Sequence, residues 1–142
     1  MVLQVVKTDS TTREYLFEGV TSISQPSGQR NVRSWFSSPV NAERTLQALT
    51  ILTAEFSSSP YRDTLIAIEV MNEPFPYIDW ETEILKTFYL DAYRAIREAT
   101  WTGAQRQLTV AIDSAFKTLE FWEGFMEEPG WSTVALDTVR SI

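Results

Sequence analysis

The stretch that decides the fold is Leu65-Ile66-Ala67-Ile68-Glu69-Val70-Met71-Asn72-Glu73-Pro74. Its apolar, β-branched first part predicts a buried strand over residues 64–71, of the kind found in parallel sheets. Pro74 has no amide hydrogen and biases Glu73 toward an extended backbone, so we expect the strand to end there. Because ligands of α/β folds bind at the carboxyl ends of strands, Glu73 is predicted to lie at the mouth of a site.

The two faces of this strand differ in chemistry. Side chains alternate along a strand, so Ile66, Ile68 and Val70 share a face that we expect to meet helices. Glu69 and Glu73 share the other face, which we expect to point into a barrel or cleft. Glu69 would then be buried below Glu73 and would need a partner. We interpret Glu69 as a structural, hydrogen-bonded residue rather than a catalytic one.

Helices and strands alternate on either side of this stretch. The pattern predicts helices over 41–56, 80–99 and 118–126, and further strands over 108–113 and 132–137. Asn41 and Asp79 are the predicted N-caps of the first two helices. Residues 3–6 and 15–17 are candidate strands in a less readable amino-terminal part. The alternation predicts βαβ units, a parallel sheet and a single domain over residues 1–142.

The composition excludes several function classes. A net charge of −7 and a pI near 4.6 argue against a nucleic-acid partner. No apolar run is long enough to span a membrane, and the first seven residues do not form a signal peptide. With no cysteine and no histidine, thiol nucleophiles, imidazole bases and zinc–thiolate sites are excluded within this sequence. Proton transfer is left mainly to carboxyl groups with shifted pKa values.

Each predicted strand ends with an acidic residue, namely Glu73, Asp113 and Asp137. For Asp113 and Asp137 the favoured interpretation is helix capping or hydrogen bonding to loops. For Glu73, whose position follows a buried strand, the functional interpretation is favoured. The three carboxylates also permit a hard-cation site, but their spacing does not indicate one, and we predict no metal and no cofactor.

Several linked motifs resemble one enzyme family, glycoside hydrolase family 5, and within it the fungal exo-β-1,3-glucanases. They are the stretch 65–74, Phe88-Tyr89-Leu90-Asp91-Ala92-Tyr93, Asp113-Ser114-Ala115-Phe116, Phe121-Trp122-Glu123-Gly124-Phe125-Met126 and the stretch 129–138. Upstream, Ser27-Gly28-Gln29-Arg30 and residues 41–49 extend the likeness. Residues 27–138 therefore match the family, whereas residues 1–26 match it poorly.

The resemblance implies a (β/α)8 TIM barrel, present here as its middle strands and helices, and retaining hydrolysis of β-1,3-glucan by an exo-acting enzyme. Retaining hydrolysis needs one acid/base and one nucleophile. Glu73 matches the acid/base, and Asn72 matches the residue that hydrogen-bonds the sugar 2-hydroxyl. Arg30 and Trp35 are further candidates for substrate binding. The implied partner is a β-glucan or oligosaccharide, and the implied location is extracellular or in the cell wall.

The chain also departs from the family pattern. The nucleophile of the family lies on a later strand, after the point where this sequence ends, and a barrel of this type needs about 250 residues. We therefore expect a fragment with negligible activity on its own. The alternative is a non-catalytic α/β module that binds carbohydrate or protein and in which Glu73 is incidental.

Overall fold

A computed structural model describes residues 2–3, 17–18, 35–36, 38–58, 61, 65–102 and 107–138. Its elements in chain order are β1 (Val2–Leu3), β2 (Phe17–Glu18), α1 (Pro39–Ser57), β3 (Ala67–Glu69), α2 (Asp79–Ala99), β4 (Thr109–Asp113), α3 (Leu119–Trp122) and β5 (Val134–Asp137).

The sheet that carries the candidate site is parallel, as predicted from the alternation of elements. Its strand order is β3-β4-β5, and both neighbouring pairs are parallel. Glu69 lies opposite Ala111, and Asp113 lies opposite Asp137. Helix α2 connects β3 to β4, and α3 lies between β4 and β5. The carboxyl ends of the three strands therefore meet at one edge of the sheet, which we call the rim.

Helix α2 forms because its apolar residues recur at helical spacing. The predicted stripe is confirmed, since Leu85, Phe88, Tyr89, Ala92 and Ile96 are all buried. The helix begins at Asp79, with Ile78 as the N-cap residue, so the predicted cap at Asp79 is wrong by one position.

The first turn of α2 is stabilised from within the helix. The carboxylate of Glu81 accepts the backbone N–H groups of Tyr77 (2.7 Å) and Ile78 (3.3 Å). These amides have no partner inside a helix, and the buried Glu81 supplies one. This contact explains why the helix does not need Asp79 as a cap.

Helix α1 packs against α2, and its buried residues are Thr45, Leu49, Thr53 and Ser57. The helix begins at Pro39, because proline is well accommodated in the first turn. Ser38 is therefore the N-cap residue, and the predicted N-cap at Asn41 is wrong.

Helix α3 is shorter than predicted. It ends at Trp122, because Gly124 adopts a φ of +78°, the left-handed conformation that commonly ends helices. Two short strands are described in the amino-terminal part. β1 and β2 form a separate antiparallel pair, in which Val2 lies opposite Glu18, and the rest of the predicted ranges 3–6 and 15–17 lies outside the described residues.

Arg97 fixes the opposite end of the sheet from the rim. Its guanidinium donates to the carbonyl oxygens of Leu108 (2.6 Å) and Ser132 (2.7 Å) and to the hydroxyl of Thr133 (2.7 Å). These residues precede β4 and β5. One side chain of α2 therefore sets the relative position of two strands whose far ends carry Asp113 and Asp137.

Candidate active site

Asn72 and Glu73 lie on the rim, directly after β3. Asn72 is half-buried and Glu73 is exposed. The backbone of Glu73 adopts a φ of +45°, so the predicted extended conformation is wrong. This left-handed conformation is unfavourable for a residue with a side chain and is concentrated at functional sites. A contact from the neighbouring strand overrides the local preference, because the amide of Glu73 donates to Oδ2 of Asp113 at 3.0 Å.

Asp113 lies at the centre of the rim, where it is 1% exposed. Its Oδ1 atom accepts the amide of Ala115 at 2.6 Å, in addition to the bond from Glu73. Burial raises the pKa of Asp113, although these two backbone hydrogen bonds act in the opposite direction and nearby Asp137 raises it further. The interpretation of Asp113 as a hydrogen-bonding residue for loops is confirmed.

A cluster of three carboxylates lies beneath Glu73. Glu69, Asp113 and Asp137 have oxygen atoms within 4.8 Å of one another. Glu69 is 4% exposed, and its pKa is raised to about 7 by burial first, then by the charges of Asp137 and Asp113, with a smaller contribution from Glu73. The prediction that Glu69 is buried below Glu73 is confirmed.

The raised pKa shows how this cluster limits its negative charge. With a pKa of about 7, Glu69 is partly protonated near neutral pH. Both of its oxygen atoms are buried and accept no hydrogen bond from a donor in the described residues, so the predicted hydrogen-bonded role is met only by the proton that Glu69 shares with Asp137. Hard cations accept ligands of this type, but a proton on Glu69 relieves the same repulsion, and we assign no metal ligand. The cation site considered from the sequence used Glu73, whereas the structure brings Glu69 to this position.

An exposed aromatic patch, formed by Phe75, Tyr77 and Phe116, lies on the same rim. The ring centroids of Phe75 and Tyr77 are 4.6 Å apart, and those of Phe75 and Phe116 are 5.1 Å apart. All three side chains are more than 40% exposed. Exposed aromatic faces beside a carboxyl group suit the apolar C–H faces of a sugar ring.

The aromatic patch was not among the binding residues predicted from the sequence. The available signal was that each aromatic residue follows a strand end closely, Phe75 and Tyr77 after Glu73, and Phe116 after Asp113. That the two loops touch became apparent only from the pairing of β3 with β4.

The other two predicted binding residues are Arg30 and Trp35, and no contact in the described residues places either of them at the rim. Arg30 lies outside the described residues. The indole N–H of Trp35 donates to the Thr45 hydroxyl at 3.2 Å. Its ring packs edge-on against Phe36 and Phe88, with centroids 5.2 and 4.9 Å away. These contacts give Trp35 a packing role between the helices, and its contact with a sugar stays a prediction.

Comparison with known proteins points to one group of enzymes. No family model matches the chain. The chain is 34% identical over 115 residues to a glucan 1,3-beta-glucosidase from Blumeria graminis. This match covers 79% of the chain and 24% of the relative. The chain is 35% identical over 94 residues to a glucan 1,3-beta-glucosidase from Candida oleophila, covering 63% of the chain and 21% of the relative.

The chain is similar to part of the fungal glucan 1,3-β-glucosidases. A third relative, the sporulation-specific glucan 1,3-beta-glucosidase of Saccharomyces cerevisiae, is 34% identical over 90 residues, covering 62% of the chain and 19% of the relative. The resemblance to fungal exo-β-1,3-glucanases that the motifs indicated is confirmed. The matched region spans about a fifth to a quarter of the length of these relatives. A match that covers 79% of the chain necessarily includes its middle, where Asn72 and Glu73 lie.

Among the residues that the structure describes, we find no helix that is long and apolar enough to cross a membrane.

Proposed function

We propose that this chain forms part of a β-glucan-hydrolysing domain in which Glu73 is the general acid/base. The observation that carries the proposal is the position of Glu73. It is an exposed carboxyl group at the carboxyl end of a parallel strand, held in an unusual backbone conformation and flanked by exposed aromatic rings. Within the part of the chain that the structure describes, the ion pairs join Lys86 to Glu83 and Arg94 to Asp91, and neither involves Glu73.

In the proposed reaction, Glu73 donates its proton to the glycosidic oxygen as the bond to the leaving sugar breaks. Asn72, next to it on the rim, hydrogen-bonds the 2-hydroxyl of the sugar, a contact that strengthens in the transition state. The aromatic patch binds a sugar ring beside the bond to be broken. The reaction class follows from the resemblance, and the geometry supports the acid role.

Retaining hydrolysis also needs a carboxylate nucleophile about 5–5.5 Å from the acid/base. We do not assign this role to Glu69 or Asp113. Burial raises the pKa of both, which disfavours the ionised form that a nucleophile requires. The two oxygens of Asp113 are also occupied by backbone amides. The resemblance places the nucleophile on a later strand of the family, so the proposal puts it outside the described residues.

The proposed domain is a (β/α)8 barrel, of which β3, β4 and β5 form one arc. Three features support this: the strands are parallel, they neighbour each other in chain order, and helices lie between them. Exo action on β-1,3-glucan, in polysaccharide breakdown or cell-wall glucan metabolism, and an extracellular or cell-wall location are further parts of the proposal that rest on the resemblance.

The experiment that tests the proposal is an NMR titration of the chain with laminaritriose. We expect shifts of the amide signals of Asn72, Glu73 and Phe116. Phe116→Ala should weaken binding about fivefold or more, because an aromatic contact contributes about 1 kcal/mol. The matched control is Trp101→Ala, since Trp101 is also an exposed aromatic residue but follows the far end of α2.

Two outcomes would count against this site. The first is an equal loss of affinity in the Phe116 and Trp101 variants. The second is a set of shifts that reaches the aromatic patch but neither Asn72 nor Glu73, which would favour a non-catalytic binding module.

A further inference from the structure

Asp113 joins two loops that have separate roles in the proposed site. Its Oδ2 atom accepts the amide of Glu73, which follows β3, and its Oδ1 atom accepts the amide of Ala115, which follows β4. Ala115 is directly followed by Phe116 of the aromatic patch. The two oxygens of this one buried carboxylate thus bind the loop that carries Glu73, at 3.0 Å from its amide nitrogen, and the loop that carries Phe116, at 2.6 Å from the amide nitrogen of Ala115.

Both loops are in backbone conformations that need external support. The φ angles are +45° at Glu73, +53° at Ala115 and +58° at Phe116. These left-handed angles are disfavoured for residues with a side chain and persist where the surrounding structure holds them. The bonds to Asp113 fall on the amides of two of these three residues.

The carboxylate is itself held firmly. The backbone carbonyl of Asp113 accepts the hydroxyl of the fully buried Tyr89 at 2.9 Å. The next residue, Ser114, donates its amide to the carbonyl of Asp137 at 2.8 Å and accepts the indole N–H of Trp122 at 2.9 Å. Contacts from α2, α3 and β5 therefore fix the strand end from which the Asp113 side chain extends.

We propose that Asp113 is a positioning residue, which sets the distance and orientation of Glu73 relative to Phe116 by accepting one amide from each loop. The mechanical part of this inference stands on the contacts alone, and its meaning for catalysis rests on the proposed function. A carboxylate suits the task because both of its oxygens accept and neither donates. An asparagine could serve only one of the two amides.

The ionisable groups that face Asp113 are Glu69 on β3, Glu73 after it, Asp137 on β5 and Tyr89 on α2. None of these groups is basic. Among the residues that the structure describes, the backbone amides of Glu73 and Ala115 are the groups that stabilise the charge of Asp113. When Asp113 takes up a proton, its hydrogen bonds to both amides weaken together.

The test follows the two amide protons by NMR while the pH is lowered. We expect the signals of residues 73 and 115 to shift upfield together, with the same midpoint as the side-chain carboxyl carbon of Asp113. The titration is repeated in Glu73→Gln, so that the carboxyl group of residue 73 itself cannot cause the shift. The inference is overturned if, in the unmodified protein, the two amide signals titrate with different midpoints. It is also overturned if their shared midpoint differs from that of the Asp113 carboxyl carbon.

A pair of variants separates positioning from simple stability. Asp113→Asn should abolish the shared titration and should reduce the laminaritriose-induced shifts at both Glu73 and Phe116, while the amide protection of α2 is retained. Asp137→Asn, which changes a neighbouring carboxylate with no bond to either loop amide, should preserve the shared titration. If Asp113→Asn does not fold, the titration of the unmodified chain still decides the question. A shared titration without any binding of laminaritriose would support Asp113 as the link between the loops and contradict the proposed function.

Discussion

The buried carboxyl group of Glu69 makes the stability of this fold depend on pH in a specific direction. Its pKa is raised from 4.5 to about 7 in the folded state. Between these values the folded protein binds more protons than the unfolded chain, so stability falls as the pH rises through this window. The difference in pKa corresponds to a loss of about 3 kcal/mol of stability, which is complete above about pH 8 and absent below about pH 4.5.

Glu69→Gln removes this dependence while keeping the size of the side chain. Glutamine can donate to Asp137 as the protonated acid does, and it does not ionise. We therefore expect the variant and the unmodified chain to be about equally stable at pH 4.5, and the variant to be more stable by about 3 kcal/mol at pH 8. Urea unfolding followed by tryptophan fluorescence at several pH values measures both curves.

The control for this experiment is Glu98→Gln, which removes one negative charge from the exposed surface of α2. Its stability curve should run parallel to that of the unmodified chain over the whole range. The reasoning is refuted if the Glu69→Gln curve also runs parallel, or if this variant is the less stable one at pH 8. Either result would mean that Glu69 does not hold a proton in the folded protein.

Two further changes probe the contacts that hold the rim in place. Tyr89→Phe leaves the carbonyl of Asp113 without its buried donor and should lower the free energy of unfolding by about 1–2 kcal/mol; a loss below the error of a urea titration would contradict this contact. Arg97→Lys should cost about 1–2 kcal/mol, because one ammonium group does not span the three acceptors that the guanidinium reaches. The exposed Arg94→Lys, measured by the same thermal or urea unfolding, should cost less than half as much.

The order of helices and strands could be predicted from the sequence because it depends on local patterns. The stripe of α2 repeats at helical spacing, and β4 and β5 are short apolar runs that end in aspartate, so the parallel sheet follows from their alternation. Helix starts were less predictable. Pro39 starts α1 two residues early because proline fits the first turn, and Glu81 binds the amides ahead of α2. A search for capping residues alone does not include either effect.

The site was predicted in part. The position of Glu73 after a buried strand was correct, but its left-handed backbone depends on Asp113, which is 40 residues away in the sequence. The raised pKa of Glu69 likewise depends on β4 and β5, which bring two aspartates beside it. Such effects arise from strand register rather than from local propensity, so a single sequence does not reveal them.

The central claim is that the carboxyl group of Glu73 donates a proton to a β-glucoside, and a hybrid enzyme tests it directly. In this hybrid, residues 27–138 of this chain replace the matching segment of one of the glucan 1,3-beta-glucosidase relatives. Hydrolysis by the hybrid that carries Glu73 is compared with hydrolysis by its Glu73→Gln variant. We predict that kcat/KM for a β-1,3-glucan oligomer falls about 10²- to 10⁴-fold in the variant. For a dinitrophenyl β-glucoside, whose leaving group needs no proton, it should fall far less. A hybrid that folds and hydrolyses the oligomer equally well with glutamine at position 73 would contradict the account.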